Sequence, residues 1–467
     1  MKKTSKKIKL WSGRFSKPTN VLVENFTSSI GFDARLYKED IFGSIAHVKM
    51  LNRTGLLKKS ETEKIISGLR QIEKDIENGR FIFDVSLEDV HMNIESELIR
   101  RIGQVGEKLH TARSRNDQIA LDMRLWLKRV IKELIADITN LQRTLVDLAS
   151  SHTETVFPGY THMQLAQPVI FAHHLLAYVE MLERDKGRLK DTYKRADELP
   201  LGCGALAGTS IPVDRRFLAK ELGFSRISQN SLDAVSDRDF LIEYLSALAI
   251  LAVHFSRFAE ELVIWSSSEF NYIEIDDAFC TGSSMLPHKK NPDVAELVRG
   301  KTGQFISGLI TLLALLKGLP LSYNRDMQED KTPVFNATDT IFSIIEVLCP
   351  LVRSLRINVE RIKQTLESSA VQAIDLTEYL VKKGVPFREG HFIVGKIVRY
   401  VEDKGKNLNS ISLDELQLFS KKFKNDVLPL IDPMKSPEAR VSEGGASPKT
   451  AKQRIRYWKN KLNKVSK

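Results

Sequence analysis

The stretch 119–148, IALDMRLWLKRVIKELIADITNLQRTLVDL, decides how the rest of the chain is read. Its apolar residues recur at Ile119, Met123, Leu127, Val130, Leu134, Ile138, Leu141, Leu145 and Leu148. The steps are fours and threes throughout, so one apolar stripe runs along a single helix of about 45 Å at 1.5 Å per residue. A helix of that length exceeds the usual globular one and points to a bundle.

The same pattern continues outward. One helix begins near Pro168 and reaches about Glu198, ahead of Pro200. A second starts at Ser236–Asp237, good N-cap chemistry, and reaches about Ser268. A third takes Asn291 as cap and Pro292 as its first residue, and stops at Gly318–Leu319–Pro320. A fourth begins at Thr332–Pro333 and is kinked or ended near Pro350. Strand signals are weak; Phe81–Val85 and Asn271–Ile275 are the best short candidates. The predicted fold class is all-α. A smaller N-terminal helical domain (1–111) precedes a long central helix bundle (112–364), and a C-terminal helical domain (365–467) follows.

The 467 residues are 42% hydrophobic and 28% charged, which suits a folded globular chain rather than a disordered one. Cys203, Cys280 and Cys349 are scattered, with no CxxC spacing. That argues against a disulfide framework and a cysteine zinc site, and fits a reducing, cytoplasmic compartment. The lysine-rich start lacks the apolar stretch of a signal peptide. The most apolar helical run, Phe305 to Leu316, is too short to span a bilayer, so no membrane partner is expected.

A net charge of +11 raises the question of nucleic acid. Residues 1–9 hold five lysines and 449–467 hold eight Lys/Arg, neither with an acid. Without those thirteen, 57 basic residues face 59 acidic ones. The excess therefore reads as two solvated tails, and no nucleic-acid partner is expected.

Four segments between the long helices carry chemistry. His110–Asp117 sets two arginines and small polar groups before a helix N-terminus, an arrangement that suits a carboxylate but also suits plain capping. Pro158–Gln164 contains His162, which is an acid, a base, a hydrogen-bond donor or a structural histidine. The adjacent pair His173–His174 points its rings in different directions, poor geometry for a metal. Thr281–Asp293 joins glycine and small hydroxyls to Lys289, Lys290 and a helix start. A serine acts as a base only where cations or N–H groups steady its alkoxide, and this segment offers both. Tyr323–Lys331 is, by itself, a charged loop.

Thr281–Asp293 resembles the signature loop of the fumarase/aspartase superfamily, whose members eliminate fumarate from succinyl compounds. The other segments resemble the argininosuccinate lyases in particular, a family that includes the delta-crystallins. The matches run from Leu10–Phe15, Glu88–His91 and His110–Asp117 through Pro158–Gln164, Leu201–Gly208 and Asn230–Asp239. They continue with Tyr323–Lys331, Pro386–Glu389 and Gly444–Ala446, and so span about Leu10 to Ser447. Three positions depart from the pattern: Leu286 follows Met285 where the superfamily loop has methionine, Ala112 stands where glycine is common, and Cys203 where a small residue is common.

The resemblance implies a fumarase/aspartase-like fold and elimination of fumarate from argininosuccinate to give arginine, with no metal or organic cofactor. It implies Ser283 as the base, with Ser284 the near alternative, and His162 as the partner acid or its positioning group. Lys289 and Asn291 are implied to bind the carboxylate that gains charge. Ser29, Arg113, Asn116, Thr161, Arg238, Tyr323, Gln328 and Lys331 are implied at the substrate. The family is a homotetramer with sites shared between subunits, and the same is expected here. Adenylosuccinate lyase is the nearest competing activity, and a crystallin-like structural protein is the non-enzymatic alternative.

Overall fold

A computed structural model describes residues 16–464. The Leu10–Phe15 match and the lysines of residues 1–9 lie outside the described residues, as do 465–467. Helix makes up 69% of the structure and the strands come only in pairs, so the architecture is all-α.

The helices of more than ten residues that precede the long stretch are α1 (Tyr37–Arg53), α2 (Lys59–Glu77) and α3 (Val90–Ile102). The long helices are α4 (Arg115–Ser151), α5 (Phe171–Ala196), α6 (Asp239–Ser266), α7 (Asp293–Leu316) and α8 (Lys331–Ser354). Helices α9 (Ala373–Lys382), α10 (Phe387–Asp403) and α11 (Pro448–Lys464) follow. The chain forms two compact units. Among the described residues the first comprises 16–134, 187–249 and 304–339, and the second comprises 135–186, 250–303 and 340–464. Each of the five long helices contributes residues to both.

The stripe that starts at Ile119 is buried from Ile119 to Leu145, and Leu148 is half-buried. Each fully buried apolar side chain is worth roughly 1.5–3 kcal/mol. The first turns of α4 carry more than a stripe. Residues 117–124 are buried all round, including Asp117, Gln118, Asp122 and Arg124. Buried polar groups at a helix start need partners, and that requirement organises the site below.

Several boundaries differ from expectation. Val156–Thr161 (β1) and Gln164–Ile170 (β2) form an antiparallel hairpin, so α5 begins at Phe171 instead of Pro168. Pro158 and Pro168 face each other in a pair that has no further strand to bond. Helix α7 starts at Asp293, one residue later than expected, because Pro292 is the cap that accepts the Glu296 N–H. Helix α8 runs through Pro350 to Ser354.

Phe81–Val85 is not a strand. The Asp84 main chain bonds the Asn93 side chain instead, N–H to Oδ1 at 2.7 Å and C=O from Nδ2 at 3.2 Å. Ile273–Glu274 does pair, with Arg356–Ile357.

Two helices exceed Phe305–Leu316 in apolar length. By length and composition Asp239–Ser266 and Arg325–Ser354 are able to cross a membrane, but half of each apolar window (50% and 56%) is buried inside the chain, as in a protein core.

Candidate active site

In the first unit the start of α4 is held by its own sequence. The Ser114 Oγ accepts the Asn116 N–H at 3.3 Å, and the Ser114 N–H donates to Asp117 Oδ1 at 3.0 Å. The other Asp117 oxygen accepts the N–H groups of Gly202 (3.0 Å) and Gly204 (2.9 Å), which ties Leu201–Gly208 to the helix start. Gly204 has φ +60°, and a Cβ there would sit 2.8 Å from the Gly208 carbonyl, so only glycine fits. Ala112 takes φ +62°, a left-handed backbone that suits the glycine which the resemblance implies at that position. Asn116 is steadied by a bond from its Nδ2 to the Ala205 carbonyl, 3.0 Å.

A cavity of about 560 Å³ opens beside this helix start. Of the predicted residues, Ser29, Asn116, Tyr323, Gln328 and Lys331 line it. Ser29 donates to Asp33 at 2.5 Å, and Asp33 accepts the Val90 N–H at 3.2 Å. Burial pushes the Asp33 carboxyl up, against the Ser29 bond.

Residues Arg325–Asp330 form a 3₁₀ turn that runs into α8. Burial opposes charge on Asp330, yet Lys331, at 2.8 Å, and Arg238 hold its carboxyl below the usual range. Arg238 is 1% exposed and does not line the cavity; it lies beneath Asp330. Arg113 is also absent from the lining and donates to Ser44 Oγ at 3.1 Å.

Five carboxylates line the same cavity: Asp33, Glu88, Asp89, Glu95 and Glu107. The sequence reading gave them no role. A signal for some was present, because His91, Glu95 and Ile99 recur at four-residue steps on α3, whose N-cap is Asp89. The Glu88 carboxylate is taken up by Arg325 at 2.9 Å, and the other four make a wall that suits a ligand that carries positive groups as well as carboxylates.

His91 donates from Nδ1 to Asp40 at 2.8 Å, and Asp122 lies 3.6 Å from the same nitrogen. Burial opposes protonation, but Asp40, Asp89 and Asp122 raise the imidazole to about 9. The ligand atoms of Asp40, His91 and Asp122 lie within 4.8 Å of one another, close enough for a metal ion. The imidazolium already supplies the positive charge a cation would bring, and the Arg113 guanidinium adds to it. His110 goes the other way. Burial, then Arg113 and Arg115, lowers it to about 4, so one cavity holds a charged and a neutral histidine.

The other predicted residues belong to the second unit. Thr161 ends β1, and His162–Met163 form the two-residue turn, with φ +55° and +58°. Such turns favour Asn-Gly, because both central residues take left-handed backbone. The hairpin root is packed tightly. Phe157 is fully buried among Phe171, Trp265 and Tyr272, and the Tyr160 hydroxyl meets that of Tyr272 at 2.5 Å.

Thr281–Gly282 (β3) pairs with Lys290–Asn291 (β4) and closes an exposed loop that carries Ser283, Ser284 and Lys289. The Ser283 Oγ accepts the N–H groups of Leu286 (3.0 Å) and Met285 (3.3 Å). Lys290 pairs with Asp277 at 2.6 Å. Among the described residues Lys289 makes no ion pair, and no hydrogen bond joins His162 to Ser283, Lys289 or Asn291.

A family model described as lyase matches residues 13–307, and one described as argininosuccinate lyase C-terminal matches 370–438. An argininosuccinate lyase of Moorella thermoacetica is 53% identical over 448 residues, covering 96% of this chain and 97% of the relative. One of Pelotomaculum thermopropionicum is 52% identical over 455 residues, covering 96% and 99%. Among solved structures, an EDDS lyase in complex with formate is 29% identical with a TM-score of 0.83, covering 93% of this chain and 87% of that one. A class II fumarase of Schistosoma mansoni is 16% identical with a TM-score of 0.72, covering 86% and 90%, and so shares the fold. Half of the residues are shared from end to end with these relatives, and the two family matches together span most of the sequence, so the chain belongs to the argininosuccinate lyase family.

Proposed function

We propose that the chain splits argininosuccinate into arginine and fumarate, a step of arginine biosynthesis. The observation that carries this is the near-complete overlap with argininosuccinate lyases at about half identity. A cavity lined by Ser29, Asn116, Tyr323, Gln328 and Lys331 on one side and carboxylates on the other supports it, since the substrate has three carboxylates, an amine and a guanidinium.

In this reading the Ser283 alkoxide takes the proton from the carbon beside a carboxylate and becomes a hydroxyl. The electron pair left behind is held in that carboxylate by Lys289 and Asn291. It then forms the carbon–carbon double bond as the neighbouring carbon–nitrogen bond breaks, and the departing guanidino nitrogen takes a proton from His162 or from a group His162 positions. Two N–H groups on the Ser283 oxygen favour its charged form and support it over Ser284. Thr161, Arg113 and Arg238 complete the substrate environment. The elimination involves no net change of oxidation state, and in this reading acid, base and anion-binding groups carry it without a metal or organic cofactor.

The active form is a homotetramer in the cytoplasm, each site drawing on several subunits. An uncovered apolar stripe on α7, Ile306, Ile310 and Leu313, supports association. Residues 1–111, 112–364 and 365–467 act as N-terminal domain, tetramer core and C-terminal domain.

The test is fumarate release from argininosuccinate, followed by ultraviolet absorbance with a chelator present. Turnover of adenylosuccinate alone overturns the substrate, and loss of rate with chelator overturns the metal-free mechanism.

A further inference from the structure

The backbone beside Ser29 contains an uncommon turn. Glu88 has φ +69° and ψ −63°, and the Asp89 N–H donates across it to the Leu87 carbonyl at 2.8 Å. That is a γ-turn of the positive-φ kind, rare and strained for a residue with a Cβ. The turn aims the Glu88 carbonyl at the segment that opens the cavity wall. This one oxygen accepts the Ser29 N–H at 2.8 Å, the Ser28 hydroxyl at 3.0 Å and the Ile30 N–H at 3.1 Å. The Glu88 side chain has a separate engagement, with Arg325 at 2.9 Å. Both Ser29 and Glu88 line the cavity.

We propose that Glu88 is a positioning residue for substrate binding, and that it acts through its main-chain carbonyl, which fixes Ser29, and not through its carboxylate. Strain of this kind persists where the surroundings hold it in place, and here three donors converge on the oxygen it presents. The inference rests on the reading in which Ser29 contacts substrate.

A series at position 88 separates backbone from side chain. Glu88→Gly, Glu88→Ala and Glu88→Val all remove the carboxylate, but they tolerate positive φ in the order Gly, Ala, Val. Glycine adopts the turn without strain, so its KM for argininosuccinate is expected within twofold of the unsubstituted enzyme, with a raised Tm. Valine cannot hold the turn, so its KM is expected to rise at least tenfold while kcat stays within threefold. Equal KM values for Gly and Val overturn the proposal, because the carboxylate then carries the effect. If Glu88→Val fails to fold, the Gly and Ala variants decide: glycine must bind at least as tightly as alanine and melt higher, and the reverse order overturns the proposal.

Ser29→Ala serves as the control, alone and combined with Glu88→Val. If Ser29→Ala leaves KM unchanged, the reading of Ser29 fails. If it raises KM while Glu88→Val does not, the positioning role of Glu88 fails. The double variant is expected to be no worse than the weaker single one, since both remove the same contact.

Discussion

Ser283 and Ser284 are neighbours with different surroundings. Only the Ser283 oxygen accepts main-chain N–H groups, and those bonds steady an alkoxide as well as the loop. Ser283→Ala is expected to remove nearly all turnover, a loss of 10³-fold or more, with the far-ultraviolet circular dichroism unchanged. Ser284→Ala is expected to be milder, and the reverse order would mean that the other hydroxyl is the base.

His91 makes a second prediction at this scale. Its pKa is raised from 6.5 to about 9, so its contribution to stability is complete below about 6.5 and is lost as pH rises through 9. Melting temperature is expected to fall between pH 7 and 9.5, and to fall less in His91→Asn; parallel curves would refute the link. The sequence exposed Ser283 and His162 through their segments, because loop chemistry is local. It could not expose Asp33, Glu95 or the charge on His91, which depend on burial and on partners far off in sequence, such as Asp40, 51 residues from His91.

The hairpin β1–β2 is the element that carries Thr161 and His162, and its two ends obey different rules. At the root, Phe157 is fully buried against four rings, so Phe157→Ala is expected to cost about 3–5 kcal/mol in denaturant titration. At the tip, Met163 is 57% exposed and left-handed, so Met163→Gly is expected to stabilise by about 0.5 kcal/mol, the relief of strain less the entropy of glycine. A destabilised glycine variant would show that the methionine side chain has a partner in the assembled enzyme.

The long helices were legible because three- and four-residue spacing survives any environment. The hairpin was not, since Pro158 and Gly159 read as part of a loop and Pro168 as the start of a helix. Gly159 sits where a Cβ would approach the Gln167 carbonyl to 2.7 Å, beside the register shift between Gly159 and Tyr160, and pairing of that kind leaves no periodic trace.

Assembly and site sharing are questions for the whole molecule. If Ser283 and His162 of one site come from different subunits, Ser283→Ala and His162→Asn are each inactive alone. Refolded together in equal amounts they are expected to recover about a quarter of the activity, from sites that draw both intact groups by chance. No recovery, with mixed tetramers confirmed by mass, would place both residues in one chain. Ile310→Glu is expected to break the assembly, read as a drop in mass by light scattering; an unchanged mass would remove α7 from the interface.

The charge distribution was legible, but not its form. Residues 449–467 read as a solvated tail, whereas α11 buries Ala451, Ile455, Trp458 and Leu462 and is held at Glu180 by Arg454 and by Trp458 Nε1 (3.2 Å). Nothing in a count of lysines reveals that the same segment has an apolar face.

That docked helix sets a schedule. Glu180 and Trp458 stand 278 residues apart, roughly 14–56 s of synthesis at 5–20 residues per second. Throughout that interval the seat for Trp458 on α5 lies open to water, and it is filled only when α11 arrives. The second unit therefore completes its fold only once α11 has been made. A product cut short by even one helix keeps an open apolar seat, the mark by which chaperones and proteases sort unfinished proteins from finished ones.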